Sequence, residues 1–130
     1  MQKCKYLDDL GLKIEEYGTN FISDDDSRKE NWAIEREEYG FDGRETWNLD
    51  KIFIEWIYTR VKYYKEHTCA DMDFYKFKYK DNVITQNGVI NKILELAKQI
   101  LLDIDNNELF VKNSREICDL WKEILPYMWW

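Results

Sequence analysis

The longest mainly apolar stretch of the chain covers residues 49–66, and its pattern is helical. When its residues are placed at about 100° per residue, polar side chains fall on one narrow stripe and apolar ones cover more than half of the circumference. The polar stripe consists of Lys51, Glu55, Thr59, Lys62 and Glu66. An ordinary surface helix has a narrower apolar face. The pattern therefore predicts a central helix with neighbours on two or three sides.

Three further helices are predicted around it. Residues 86–103 carry their apolar side chains on a single arc, and Thr85 precedes them as a capping hydroxyl. A last helix over 114–125 ends before Pro126, which lacks a backbone donor. The third helix lies earlier in the chain, before residue 40.

Ser23 and the three aspartates that follow it indicate a helix start, because acidic side chains suit the positive end of the helix dipole. Gly40 indicates the stop, since glycine readily adopts the left-handed conformation that ends a helix. Between them the apolar face is thin, with Trp32 as its main member. This pattern predicts a solvated helix fixed to the core by one tryptophan.

Over residues 74–85 apolar and polar side chains alternate, which is the pattern of a β-strand and not of a helix. Tyr75, Phe77 and Tyr79 alternate with lysines, and Asp81-Asn82 offers a tight turn. We predict a small β-hairpin there. The expected fold is mainly α (α+β): one domain over residues 1–130, built as a compact helical bundle around helix 49–66.

The negative charge is concentrated in the first third of the chain. Of the formal net charge of −7, residues 8–50 contribute fourteen acidic residues against five basic ones, while residues 51–130 hold twelve of each. This balance argues against nucleic-acid binding, which needs clustered lysine and arginine. It leaves a basic protein partner open, because complementary charge steers association.

The cysteines and the hydropathy pattern predict a cytoplasmic protein. Cys4, Cys69 and Cys118 have no CxxC spacing and are odd in number. We find neither a signal peptide nor an apolar run near the length of a membrane span.

No motif of a cofactor, metal or nucleophilic site is present. His67 is the single histidine. Asp103, Asp105 and Asn107 match the first spacings of a calcium loop, but Glu108 stands where that loop requires glycine. We therefore predict no cofactor and no metal, and the sequence favours a protein that is not an enzyme.

Arg60 is the most unusual residue of the predicted central helix, because it projects into the apolar arc, and Asp50 interrupts the same arc. A buried charge needs a partner. Arg60 could pair with an acid of the first 48 residues, such as Asp42 or Glu45, and fix the loop before the helix. Alternatively, it could line a polar pocket in an aromatic wall. The residues of that candidate ligand pocket are Arg44, Glu45, Trp47, Asp50, Trp56, Arg60 and Tyr63.

Two segments are candidate partner surfaces. One is the acidic run Asp24, Asp25 and Asp26; the other is the aromatic C-terminal segment with Tyr127, Trp129 and Trp130. The terminal aromatics either fold back on the bundle or form a contact with a partner or a second copy, so a homodimer stays open.

The run YGFDGRETWNLD at residues 39–50, followed by WIYTRVKYYKE at 56–66, resembles a group of short uncharacterised proteins from Firmicutes genomes and their phages. These proteins share a YGF-x-x-RETW-x-LD core, and some carry the NF-x-SDDD stretch found here at residues 20–26. The likeness covers about residues 6–100. It implies a small accessory protein of a phage or mobile element in a bacterial cytoplasm, and it implies no activity.

The expected function is therefore binding of another macromolecule, for example inhibition of a host defence or regulatory protein. The alternative is a small-ligand or nucleotide-sequestering protein, or an enzyme, that uses the pocket around Arg60.

Overall fold

A computed structural model describes residues 4–12 and 27–129; residues 1–3, 13–26 and 130 lie outside the description. The described part is mainly helical and contains a two-stranded antiparallel sheet, as the sequence predicts. The chain divides into two compact units, Met1–Trp56 and Ile57–Trp130. That the two units form a single domain stays a prediction.

The described residues of the first unit form three helices and the beginning of a fourth. These are α1 (Lys5–Asp8), α2 (Lys29–Tyr39), α3 (Arg44–Trp47) and the start of α4 (Leu49–His67). The predicted stop of α2 is confirmed: Gly40 has φ of +84°, and its backbone N–H donates to the Arg36 carbonyl.

The start of α2 differs from the prediction. The helix begins at Lys29 rather than directly after Ser23, and the acidic run 24–26 lies outside the described residues. Trp32 is buried as expected, whereas Ile34 is exposed.

The predicted helix over 49–66 is confirmed as α4, but its faces are not those expected. Its buried apolar side chains are Ile54, Ile57, Tyr58 and Val61. Glu55 and Thr59, both predicted on the polar stripe, are buried as well. Phe53, Trp56, Arg60 and Tyr63 are exposed.

The expectation of a buried Arg60 is therefore wrong. An apolar arc wider than half a helix contains two stripes, and only one of them needs to face the core. In α4 the side with three aliphatic residues is buried, and the side rich in aromatics, with Arg60 among them, faces solvent.

The second unit contains the predicted hairpin. Strands β1 (Lys76–Tyr79) and β2 (Asn82–Thr85) pair antiparallel with Lys76 opposite Thr85. The turn is formed by Lys80 and Asp81, both at positive φ (48° and 64°), and so lies one residue earlier than predicted. Positive φ at both central residues is the geometry that follows the twist of paired strands.

Two long helices follow the hairpin: α5 (Gln86–Leu102) and α6 (Asn107–Ile124). The start of α6 was predicted at residue 114 and lies seven residues earlier. Asn106 explains the difference, because its side-chain oxygen accepts a 3.1 Å hydrogen bond from the Leu109 backbone N–H and so caps the helix. After α6 a 3-10 turn, Leu125–Tyr127, contains Pro126, which confirms the predicted break.

Helices α5 and α6 pack against each other and supply much of the core of the second unit. Their fully buried apolar residues are Val89, Ile90, Ile93, Ala97 and Ile100 of α5 and Ile117, Leu120 and Ile124 of α6. Asn113 is the polar residue in this contact, and its amide donates to the Leu96 carbonyl (3.2 Å) and to Gln99 Oε1 (2.9 Å). The pairing of Asn113 satisfies a buried amide that would otherwise be costly.

The aromatic side of the hairpin lies on the chain that follows α6. The Tyr75 and Tyr127 ring centroids are 4.6 Å apart, and the Phe77 and Tyr127 centroids are 5.5 Å apart. This packing gives a two-stranded sheet the support that it needs to be stable in water.

Candidate functional site

An ion-pair cluster in the first unit holds the loop between α2 and α4. Asp42 is only 1% exposed, and its two carboxylate oxygens accept hydrogen bonds from Arg44 Nε (3.1 Å) and Arg44 Nη2 (2.9 Å). The Arg44 backbone N–H and the Arg36 guanidinium also donate to this carboxylate. A planar guanidinium bound through two parallel hydrogen bonds fixes both partners in orientation.

Two opposing effects act on the pKa of Asp42. Burial raises it, but the side-chain and backbone hydrogen bonds from Arg44, together with the charges of Arg44 and Arg36, lower it by more. The pKa of Asp42 therefore lies below its usual value, and the carboxylate remains ionised at neutral pH.

Tryptophan rings enclose the same cluster. The Arg44 guanidinium carbon lies 4.2 Å from the centre of the Trp32 ring, and the Trp47 ring meets Trp32 edge-on at 6.1 Å. The guanidinium of Arg28 lies 5.1 Å from the centres of both rings. Cations over tryptophan faces are attracted by the ring quadrupole, so this arrangement ties α3 to α2.

An ion pair therefore does fix the loop before α4, but a different arginine forms it. The sequence suggested an ion pair between Arg60 and Asp42 or Glu45 that fixes the loop, and the structure has Arg44 in that role with Asp42. Gly43 adds to the attachment, because its backbone N–H donates to Glu35 Oε2 at 2.6 Å.

The predicted ligand-pocket residues are distributed over both units. In the first unit Arg44 is buried in the ion pair, Glu45 is half-buried, and Trp47 and Asp50 are exposed. The Asp50 carboxylate accepts a 2.9 Å hydrogen bond from the Lys51 backbone N–H.

Three more of these residues lie on α4. Trp56 is exposed; Arg60 is exposed and donates to Thr59 Oγ1 at 2.8 Å. The Tyr63 ring stacks on His67 with a centroid distance of 3.9 Å. A pocket that joins all seven residues would involve both units, and it stays a prediction.

The predicted partner surfaces have different outcomes. Asp24, Asp25 and Asp26, as well as Trp130, lie outside the described residues. The Tyr127 ring packs on the hairpin, as described above. The Trp129 carbonyl accepts a 2.8 Å hydrogen bond from the Tyr64 hydroxyl, while its side chain is exposed. The backbone of the C-terminal segment is therefore held, and the Trp129 indole faces solvent.

An exposed apolar surface runs along the first half of α4. Leu49, Phe53 and Trp56 are spaced i, i+4 and i+7, which places them on one side of the helix. Their exposed fractions are 62%, 37% and 45%. We name these three residues the α4 aromatic face.

The second unit contains a groove of about 310 Å³ between the second half of α4 and α5. Its lining residues are Tyr58, Lys62, Lys65, Glu66, Asn91, Leu94, Glu95 and Lys98. Tyr58 is buried, and its hydroxyl oxygen lies 3.4 Å from Lys62 Nζ. We name this feature the α4–α5 groove.

The α4–α5 groove is not among the sites predicted from the sequence. Its signal is present in the spacing, since Tyr58, Lys62 and Lys65 share one side of α4, and Asn91 and Lys98 share one side of α5. What the sequence does not contain is the contact between these two sides, which arises only from packing.

Among residues 4–12 and 27–129, no group of three or more potential ligand side chains is placed to hold a metal ion.

No helix of the described part is both long and apolar enough to cross a membrane.

Comparison with protein-family models, curated proteins and solved structures found no match, so the function of this chain must be inferred from its own residues.

Proposed function

We propose that this protein acts by binding another macromolecule, as an accessory protein of a phage or mobile element in a bacterial cytoplasm. The observation that supports binding is the α4 aromatic face, on which Leu49, Phe53 and Trp56 are each more than a third exposed. Contiguous exposed apolar residues commonly form interaction sites, and tryptophan is enriched among the residues that contribute most to binding.

The charges around this face suggest the chemistry of the partner. Residues 27–56 contain eight acidic and five basic side chains. Asp42 is already neutralised by Arg36 and Arg44, whereas Glu37, Glu38 and Asp50 are exposed. A partner that presents apolar side chains beside lysine or arginine matches this surface, because complementary charge speeds association and fixes orientation.

The bacterial setting is supported by the sequence resemblance alone. The segments 39–50 and 56–66 that resemble phage and Firmicutes proteins also contain Leu49 and Trp56. Inhibition of a host defence or regulatory protein is one specific form of this proposal, and it requires no catalytic residue.

Site-specific photo-crosslinking tests the proposal. Benzoylphenylalanine placed at position 53 should give a discrete adduct in bacterial cells. The same residue placed at Lys112, an exposed position on α6, should not. Leu49→Glu adds a charge to the face, so it should weaken the adduct at position 53. Because Leu49 is exposed, Leu49→Glu should change the free energy of unfolding by no more than about 0.5 kcal/mol.

The mass of the adduct distinguishes the partners. An adduct of twice the chain mass would identify a second copy of this protein, and any other discrete mass a different partner. Equal adducts at positions 53 and 112, or an adduct that Leu49→Glu leaves unchanged, would contradict a role for the α4 aromatic face.

A further inference from the structure

The α4–α5 groove has a lining that differs in charge from the chain as a whole. Lys62, Lys65 and Lys98 line it together with two glutamates, whereas the whole chain carries a net charge of −7. One of those glutamates, Glu95, accepts a 3.3 Å hydrogen bond from Gln99 Nε2. The groove lining therefore has a formal net charge of +1, whereas the protein as a whole is acidic.

Tyr58 supplies a second, independent observation. Tyr58 is only 4% exposed, and its hydroxyl oxygen accepts a hydrogen bond from Lys62 Nζ. Within residues 4–12 and 27–129, no group accepts the proton of the Tyr58 hydroxyl itself. A buried hydroxyl usually satisfies its donor, so the groove offers an N–H and O–H donor set that suits an anion.

Two of the three groove lysines contact other lining residues. Lys65 Nζ donates to Asn91 Oδ1 at 2.5 Å, which joins the two sides of the groove. An ammonium group carries three N–H donors, so Lys65 can bind Asn91 and an anionic oxygen at once. Lys62 lies one helical turn from Tyr58 and is held over its ring, with Nζ 5.5 Å from the ring centre.

We infer that the α4–α5 groove binds a small phosphorylated molecule. A phosphate group presents three acceptor oxygens, which match the ammonium groups of Lys65 and Lys98 and the Tyr58 hydroxyl better than the two oxygens of a carboxylate would. The groove volume of about 310 Å³ leaves room for a small organic group beyond the phosphate, and Leu94 provides an apolar surface for it. This site lies in the second unit and does not depend on the macromolecular partner proposed above.

Amide NMR titration of the full chain tests this inference. The probes are inorganic phosphate, ribose 5-phosphate and AMP, with adenosine as the matched ligand without phosphate. We expect saturable shifts at groove residues such as Asn91 and Lys98, with a dissociation constant of about 1 mM or tighter for at least one phosphorylated probe. Adenosine should cause no saturable shifts at these residues. The relative affinities show whether the phosphate alone or its organic group is recognised.

Three variants assign the effect to named groups. Lys98→Gln removes an ammonium group and should weaken binding at least about tenfold. Tyr58→Phe keeps the buried ring, removes the hydroxyl and should weaken binding by a similar factor. Lys92→Gln changes an exposed lysine of α5 that does not line the groove, and it should leave binding unchanged.

Several results would overturn the inference. These are the absence of saturable binding by all three phosphorylated probes, adenosine binding as tightly as AMP, or a loss in Lys92→Gln equal to that in Lys98→Gln. Spectra of Lys98→Gln that match the parent chain outside the groove separate loss of the site from loss of the fold.

Discussion

Asp42 is a single residue on which the attachment of a whole loop depends. It is buried, it binds Arg44 through both carboxylate oxygens, and it also accepts a hydrogen bond from Arg36. A buried pair of this kind is not necessarily more stabilising than an apolar pair, but removal of one partner leaves the other charge uncompensated. The local consequence is that the segment between α2 and α4 has one preferred position on α2.

The pKa of Asp42 predicts how stability depends on pH. Because the folded pKa lies below the ordinary value of 3.8, ionised Asp42 stabilises the fold at every pH above that value. This contribution is lost as the pH falls through the folded pKa. Asp42→Asn should lower the free energy of unfolding at neutral pH by about 3 kcal/mol and flatten its decline below about pH 4. Urea unfolding from pH 7 down to pH 2 measures both effects.

The matched control is Glu38→Gln, which also removes one acidic charge but lies on the exposed side of α2. We expect it to change the free energy of unfolding by no more than about 0.5 kcal/mol. If Asp42→Asn behaved like this control, the ion-pair cluster would not be a stabilising element.

At the scale of elements, strand β2 is followed directly by helix α5, and Thr85 and Gly88 form the junction between them. Thr85 ends β2, and its hydroxyl accepts a 3.1 Å hydrogen bond from the Gly88 backbone N–H, which caps α5. Gly88 lies against the strand: a Cβ atom added there would lie 2.6 Å from Ile84 Cγ1. This close approach accounts for a glycine in the first turn of α5, where glycine is otherwise unfavourable for a helix.

Gly88→Ala is therefore expected to destabilise the protein, although alanine is favoured over glycine by about 1 kcal/mol inside a helix. The clash with Ile84 has to be relieved by movement of the strand or the helix, and the net change should be a loss of at least about 1 kcal/mol. Thermal unfolding of Gly88→Ala, of Ile84→Ala and of the double variant measures this change in stability. The substitution at position 88 should cost less when Ile84 is already alanine, and an increase in stability for Gly88→Ala alone would contradict the packing.

At the scale of the whole molecule, the boundary between the two units falls inside α4, between Trp56 and Ile57. Unfolding of either unit would remove the packing of half of this helix, and a short isolated helix is marginal in water. We expect one cooperative thermal transition, with equal calorimetric and van't Hoff enthalpies, as for a single domain. Two separable transitions would contradict the single-domain prediction.

The features predicted correctly from the sequence are those that depend on short-range interactions. Gly40, Thr85 and Pro126 mark helix boundaries by effects that act within about four residues, and the structure confirms these boundaries. The start of α6 at Asn107 differs from the predicted start at residue 114, because the run Asp105-Asn106-Asn107 has the composition of a turn, although the cap that Asn106 provides is equally local.

The sequence by itself determined the mainly helical fold, the extent of α4 and the presence of the hairpin. Periodicity and capping act on neighbouring residues, and they are therefore visible in the chain. Only the tertiary structure decided which side of α4 is buried, that Arg44 rather than Arg60 is the enclosed guanidinium, and that Tyr58 and Lys98 line one groove. These features depend on contacts between distant segments, and an apolar arc wider than half a helix is compatible with burial of either side.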